Sequence, residues 1–107
     1  MKRSKNRKYF WAMTTATQNQ QIINYLKPYQ PERVGIFGSW ARSENGPKSD
    51  LDILVKLSKP VSLLTFARME RELSETLNIK VDLVSENALQ NERLRQYIMR
   101  DLQEISG

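Results

Sequence analysis

The chain has 107 residues, 39% of them hydrophobic and 27% charged, the size and balance of one small globular domain built on a single core. It contains neither cysteine nor histidine, which excludes thiol and imidazole catalysis, disulfide frameworks and Cys/His zinc sites. Its net charge of +5 is unevenly spread: Lys2, Arg3, Lys5, Arg7 and Lys8 supply five of the 17 basic residues, leaving 12 basic against 12 acidic ones. A basic arm on an otherwise neutral domain provides no track for nucleic acid, so nucleic acid is a disfavoured partner. No apolar run is long enough to span a bilayer and no signal-peptide core is present, so no membrane partner is expected; with the lack of cysteine, the expected compartment is the cytoplasm.

Residues 1–14 form the arm and show no helical or strand period, although Tyr9, Phe10 and Trp11 could pack if it is ordered; Met13 offers an alternative start. The folded domain is expected over 15–107. Thr17 to Lys27 predicts a short helix with Ile22, Ile23 and Leu26 inward, closed by Pro28 and Pro31. A strand follows over about Arg33 to Phe37. Ser39 is a suitable N-cap for a second helix carrying Trp40, Ala41 and Arg42, which Asn45-Gly46-Pro47 would end.

Asp50 to Leu57 predicts the second strand. Ser62 would cap the longest helix, Leu63 to Leu77, with Leu63, Phe66, Leu73 and Leu77 on its buried face. Asn78 ends it, Ile79 to Val84 predicts a third strand, and Asn91 to about Ile105 a last helix with Leu94, Ile98 and Leu102 inward. The order α-β-α-β-α-β-α describes a small sheet covered by helices, an α/β (α+β) fold.

The chemistry concentrates in Gly38-Ser39 and Ser49-Asp50-Leu51-Asp52. Val34, Ile36 and Phe37 make an apolar run that stops at Gly38, a strand ending in a turn that lets a backbone approach phosphate closely. Side chains alternate along a strand, so Asp50 and Asp52 share one face while Leu51, Ile53 and Val55 face the core. Adjacent carboxylates repel unless a cation lies between them, and oxygen-only ligands favour Mg²⁺ or Mn²⁺. Asp82, between Val81 and Leu83, points away from both by the same alternation.

Each element alone has an ordinary structural reading: a solvated acidic edge, a strand-to-helix turn, an exposed strand residue. An EF-hand lacks its required spacing here, and a haloacid-dehalogenase motif fails at Leu54. Trp40 reads as packing, and Arg68 and Arg71 as a solvated helix face.

Taken together, Gly38-Ser39-Trp40-Ala41-Arg42, Ser49-Asp50-Leu51-Asp52-Ile53-Leu54-Val55 and Val81-Asp82-Leu83-Val84 resemble the polymerase-beta-like nucleotidyltransferase superfamily. More narrowly, the chain resembles its minimal nucleotidyltransferases, the MntA-type antitoxins paired with HEPN toxins, over roughly residues 20 to 105. The resemblance implies a small mixed sheet flanked by helices and transfer of a nucleotide, with ATP favoured, to a hydroxyl. It implies that Gly38 and Ser39 hold the triphosphate, with Ser39 opening a helix whose free N–H groups favour phosphate. Asp50, Asp52 and Asp82 would hold two Mg²⁺ ions, Mn²⁺ being an alternative, and Asp82 would also help to deprotonate the acceptor. Arg42 would orient phosphate or pair with a site carboxylate, and Ser49 would cap the turn or support the carboxylates.

The implied acceptor is a tyrosine of a HEPN-type toxin, since so short a chain is expected to lack a separate acceptor domain. Two alternatives remain: an antitoxin acting by contact alone, and transfer to a nucleic acid or small molecule. An exposed apolar patch on the last helix, with Tyr97 and Met99, would serve a toxin interface or a homo-oligomer.

Overall fold

The computed structural model describes residues 14–46 and 48–106. The expected arm, with Tyr9, Phe10 and Trp11, therefore falls outside the described residues except for Thr14. Helix α1 spans Ala16–Leu26 and starts where Thr15 and Gln18 close a capping box. Thr15 Oγ1 accepts from Gln18 N at 3.0 Å, and Gln18 Oε1 accepts from Thr15 N at 2.8 Å. Its apolar face buries Ile22 and Leu26.

Strand β1, Pro31–Phe37, pairs antiparallel with β2, Leu51–Leu57. Helix α2, Leu63–Leu77, then carries the chain over to β3, Val81–Ser85, which lies parallel to β2. A parallel neighbour requires such a crossover. Helix α3, Glu92–Asp101, leads into the two-residue strand β4, Gln103–Glu104, antiparallel to β1. The four-stranded sheet has the order β3-β2-β1-β4 and is mixed, as expected.

One face of the sheet buries Val34, Ile36, Leu51, Ile53, Val55, Val81 and Leu83 against Ile22, Leu26, Met69 and Leu73 of α1 and α2. The outer edge of β3 is closed by α2: Ser74 Oγ accepts from Val81 N and Glu70 Oε2 from Leu83 N, both at 2.9 Å. Between α1 and α2, the Tyr25 hydroxyl donates to Glu72. The opposite face is covered only in part, where Leu102, just past α3, lies so close over Gly35 that an added Cβ would meet Leu102 Cδ1 at 2.5 Å.

Five expectations change. No helix follows β1: residues 38–43 form a turn, with Arg42 N bonded to Gly38 O at 3.1 Å and Glu44 N to Ser39 O at 2.8 Å. Ser43 at φ 61° ends that turn before a helix could pay back its nucleation. The order is therefore α-β-β-α-β-α-β. The third strand starts at Val81 rather than Ile79, because Asn78 turns left-handed at φ 56° and Ile79 N still bonds Ser74 O at 3.3 Å.

The last helix stops at Asp101 rather than Ile105, since Leu102 is extended and Ile105 N bonds Val34 O at 3.0 Å, extending the pairing onto β1. Leu63 is 89% exposed and Met69 takes its place in the core. At 100° per residue the two lie roughly 120° apart around α2. Leu94 stays 46% exposed because α3 meets the sheet at Ile98 and beyond.

Candidate active site

In β2 the alternation puts Leu51, Ile53 and Val55 in the core, so Asp52 faces the more open side. The sheet register then assembles the site. Asp52 is paired with Asp82 across the parallel ladder and with Phe37 across the antiparallel one. Asp82 is exposed between buried Val81 and Leu83, as its pattern predicts. Asp50 lies immediately before β2 and is exposed, with Oδ2 3.9 Å from Lys80 Nζ.

The turn after Phe37 brings Gly38 against Asp52. Gly38 has φ 75°, and an added Cβ would run into Asp52 Oδ2 and stand 3.1 Å from its Cγ. Glycine is required here twice over, by backbone conformation and by contact. Ser39 is half-buried in the same turn. The sequence reading gave Ser39 a helix N-terminus to present to phosphate; the structure instead presents a single turn.

Asp52 carries the electrostatic tension of the site. Its pKa is pushed up to about 6, first by burial and then by the charges of Asp82 and Asp50, with Arg42 opposing them. Arg42 itself is bound elsewhere: Nε lies 2.9 Å from Glu44 Oε1 and Nη1 2.7 Å from Asp101 Oδ2. These two carboxylates raise its pKa further, Glu44 most. Arg42 thus ties the turn to the end of α3 rather than contacting a site carboxylate. Ser49 caps its loop, with Oγ accepting from Gly46 N at 2.8 Å. Trp40 is buried, and its indole N–H donates to Ser49 O at 3.4 Å.

Asp52, Asp82 and a close backbone turn therefore meet, with Asp50 at their border and only oxygen donors on offer. That donor set suits a hard divalent cation, and the crowding at Asp52 favours one. Among the described residues, however, no three acidic side chains are already gathered at metal-holding distance. Asp52 and Asp82 are adjacent, while Asp50 lies beside Lys80. The sequence reading missed Lys80, although it lies two positions before Asp82, on the same side by alternation. It also missed Asp101, whose partnership with Arg42 spans 59 positions and leaves no local signal. An apolar cavity of about 540 Å³, lined by Leu57, Val61, Phe66 and Leu83 among others, lies at the far ends of β2 and β3. It holds no titratable side chain, so the chemistry belongs to the open face.

The chain belongs to the polymerase beta nucleotidyltransferase family, whose model matches residues 20–106. It is a nucleotidyltransferase, and its likeness lies with the minimal members. A Methanocaldococcus jannaschii protein assigned as a protein adenylyltransferase, MJ0126, is 42% identical over 95 residues, covering 84% of this chain and 97% of that protein. Protein adenylyltransferase MntA of Thermococcus cleftensis is 36% identical over 85 residues, covering 75% and 86%. A chain in the solved complex of a tri-AMPylated Shewanella oneidensis HEPN toxin with MNT antitoxin superposes with a TM-score of 0.69 at 20% identity, over 85% of this chain and 71% of that chain. This last likeness is one of fold.

Proposed function

We propose that the protein transfers AMP from ATP to a tyrosine hydroxyl of a HEPN-type toxin and so acts as its antitoxin. The observation that carries the reading is the Asp52–Asp82 pair, in register across β2 and β3 directly beside the Gly38 turn. A protein acceptor is supported by the similarity to protein adenylyltransferases, and a HEPN-type toxin by the AMPylated toxin complex of similar fold.

In this reading Gly38 and Ser39 receive the triphosphate, the bare Gly38 allowing backbone contact that a side chain would block. Asp50, Asp52 and Asp82 hold Mg²⁺, as two ions or in its place Mn²⁺. When bound, the metal supplies positive charge for the α-phosphate and for the leaving group. The acceptor oxygen attacks the α-phosphorus, the bond to the β-phosphate oxygen breaks, and pyrophosphate departs with the electron pair. Asp82, the exposed carboxylate, takes the hydroxyl proton. Ser49 holds the loop before Asp50, and Arg42 fixes the phosphate turn against α3. The expected division of the chain, a basic arm over 1–14 and a transferase domain over 15–107, fits this scheme, as does action in the cytoplasm.

The test incubates the protein with α-³²P-ATP, Mg²⁺ or Mn²⁺, and the protein encoded by the adjacent gene. Label should pass to that protein and fall by at least about a thousandfold in Asp52→Asn, a loss on the scale of removing a principal transition-state contact. Tight association without label, unchanged in Asp52→Asn, would replace this reading with neutralisation by contact. Label on RNA or a small molecule would move the acceptor accordingly.

A further inference from the structure

Lys80 is held to the site by its backbone and free to move by its side chain. Its carbonyl oxygen accepts from Leu51 N at 2.8 Å, fixing the residue between the starts of β2 and β3. Its side chain is 80% exposed, with Nζ 3.9 Å from Asp50 Oδ2. This ammonium occupies the cation's place beside Asp50, one of the three carboxylates of the proposed site. Arg42, the other cation acting on the carboxylates, is committed at 2.9 and 2.7 Å to Glu44 and Asp101. Lysine is a compact point charge on a flexible stem, suited to exchanging one anion for another.

We propose that Lys80 is a nucleotide-positioning residue that moves between two anions: it pairs with Asp50 in the free protein and with the polyphosphate of the incoming nucleotide in the complex. A divalent ion arriving at Asp50 would repel the ammonium that pairs with that carboxylate. In the complex, the phosphate tail of the nucleotide is the anion newly offered to the displaced charge. Lys80 thus competes with metal when nucleotide is absent and assists nucleotide when it is present. The inference rests on the nucleotidyltransferase site proposed above and adds a residue to it.

Two readouts separate this role from a passive surface charge. In Lys80→Ala, Mn²⁺ alone, followed by electron paramagnetic resonance of the free ion, should bind several-fold more tightly than in the wild type. The non-hydrolysable analogue AMP-PNP with Mn²⁺, followed by calorimetry, should bind about tenfold more weakly, the loss expected for one charged hydrogen bond. Lys80→Arg should restore most of the nucleotide affinity. Tighter Mn²⁺ binding with unchanged AMP-PNP affinity would overturn the exchange and leave Lys80 a counter-ion. Unchanged or weaker Mn²⁺ binding would overturn the pairing with Asp50. Absence of AMP-PNP binding by the wild type would defeat the nucleotide site and the exchange with it, while tighter Mn²⁺ binding by Lys80→Ala would still show the lysine competing for metal.

Discussion

Two acidic centres in this small molecule make opposite use of burial. Glu86, in the short 3-10 turn Glu86–Ala88, is only 4% exposed, yet Arg95 Nη2 lies 2.9 Å from Oε2 and Arg33 Nε 3.7 Å from Oε1. Asp52 is half-buried, but it sits beside Asp82 and under the charge of Asp50, and its pKa rises to about 6. A buried acid flanked by two guanidinium groups joins elements: here it ties β1 to α3. A half-buried acid beside other acids carries a repulsion that a cation would relieve. The contrast separates a structural carboxylate from a candidate functional one on electrostatic grounds.

Removing a cation from the paired centre should do the most damage. Arg95→Met leaves Glu86 buried with only the longer Arg33 contact, and should cost about 3 kcal/mol in urea denaturation. Asp52→Asn should cost nothing in the same measurement, because it removes repulsion. Equal losses in the two variants would mean that both centres are structural and would erase the distinction.

A smaller effect is expected where the turn meets the carboxylate. Gly38→Ala asks a side-chain-bearing residue to hold φ 75° while its Cβ runs into Asp52. The backbone component is worth about 1–2 kcal/mol, and the displaced carboxylate should abolish transfer as well. Adding Asp52→Ala removes the obstruction but not the backbone strain. The double variant should therefore be more stable than the sum of the single losses, measured as a double-mutant cycle. Strict additivity would show that Gly38 serves conformation alone.

The pattern of residues carried a great deal of this, within clear limits. The facing of Asp52 and Asp82 followed from alternation, which depends only on neighbours in the chain. Ser62 as the cap of α2 followed from side-chain chemistry, and its Oγ does accept from Thr65 N at 3.1 Å. The helix expected at Ser39 failed because a good cap cannot sustain a segment that Ser43 and Gly46 interrupt within two turns. Strand β4 was hidden for a different reason. Gln103 and Glu104 continue the helix period, and only their pairing with Ile36 and Gly35, far away in sequence, makes them extended. Arg42 illustrates the same limit at the site, since its partner Asp101 is visible only in three dimensions.

The finest test of the contrast is the dependence of stability on pH. Asp52 has its pKa raised from 3.8 to about 6 on folding, so between those values the native state binds more protons than the unfolded chain. Its contribution is therefore fully present below about pH 4 and is lost as pH rises through 6. Wild type and Asp52→Asn should be nearest in stability at pH 4 and diverge toward pH 7, with the asparagine variant ahead by about 1 kcal/mol once solvent screening is allowed for. Saturating Mn²⁺ should close that gap by stabilising the wild type, because the ion binds the folded carboxylates and not the dispersed ones. The measurement is urea denaturation of both proteins at pH 4, 5.5 and 7, with and without Mn²⁺. A wild type that pulls ahead of the asparagine variant as pH rises toward 7 would give Asp52 a favourable partner in the folded state and make it a structural acid of the Glu86 kind.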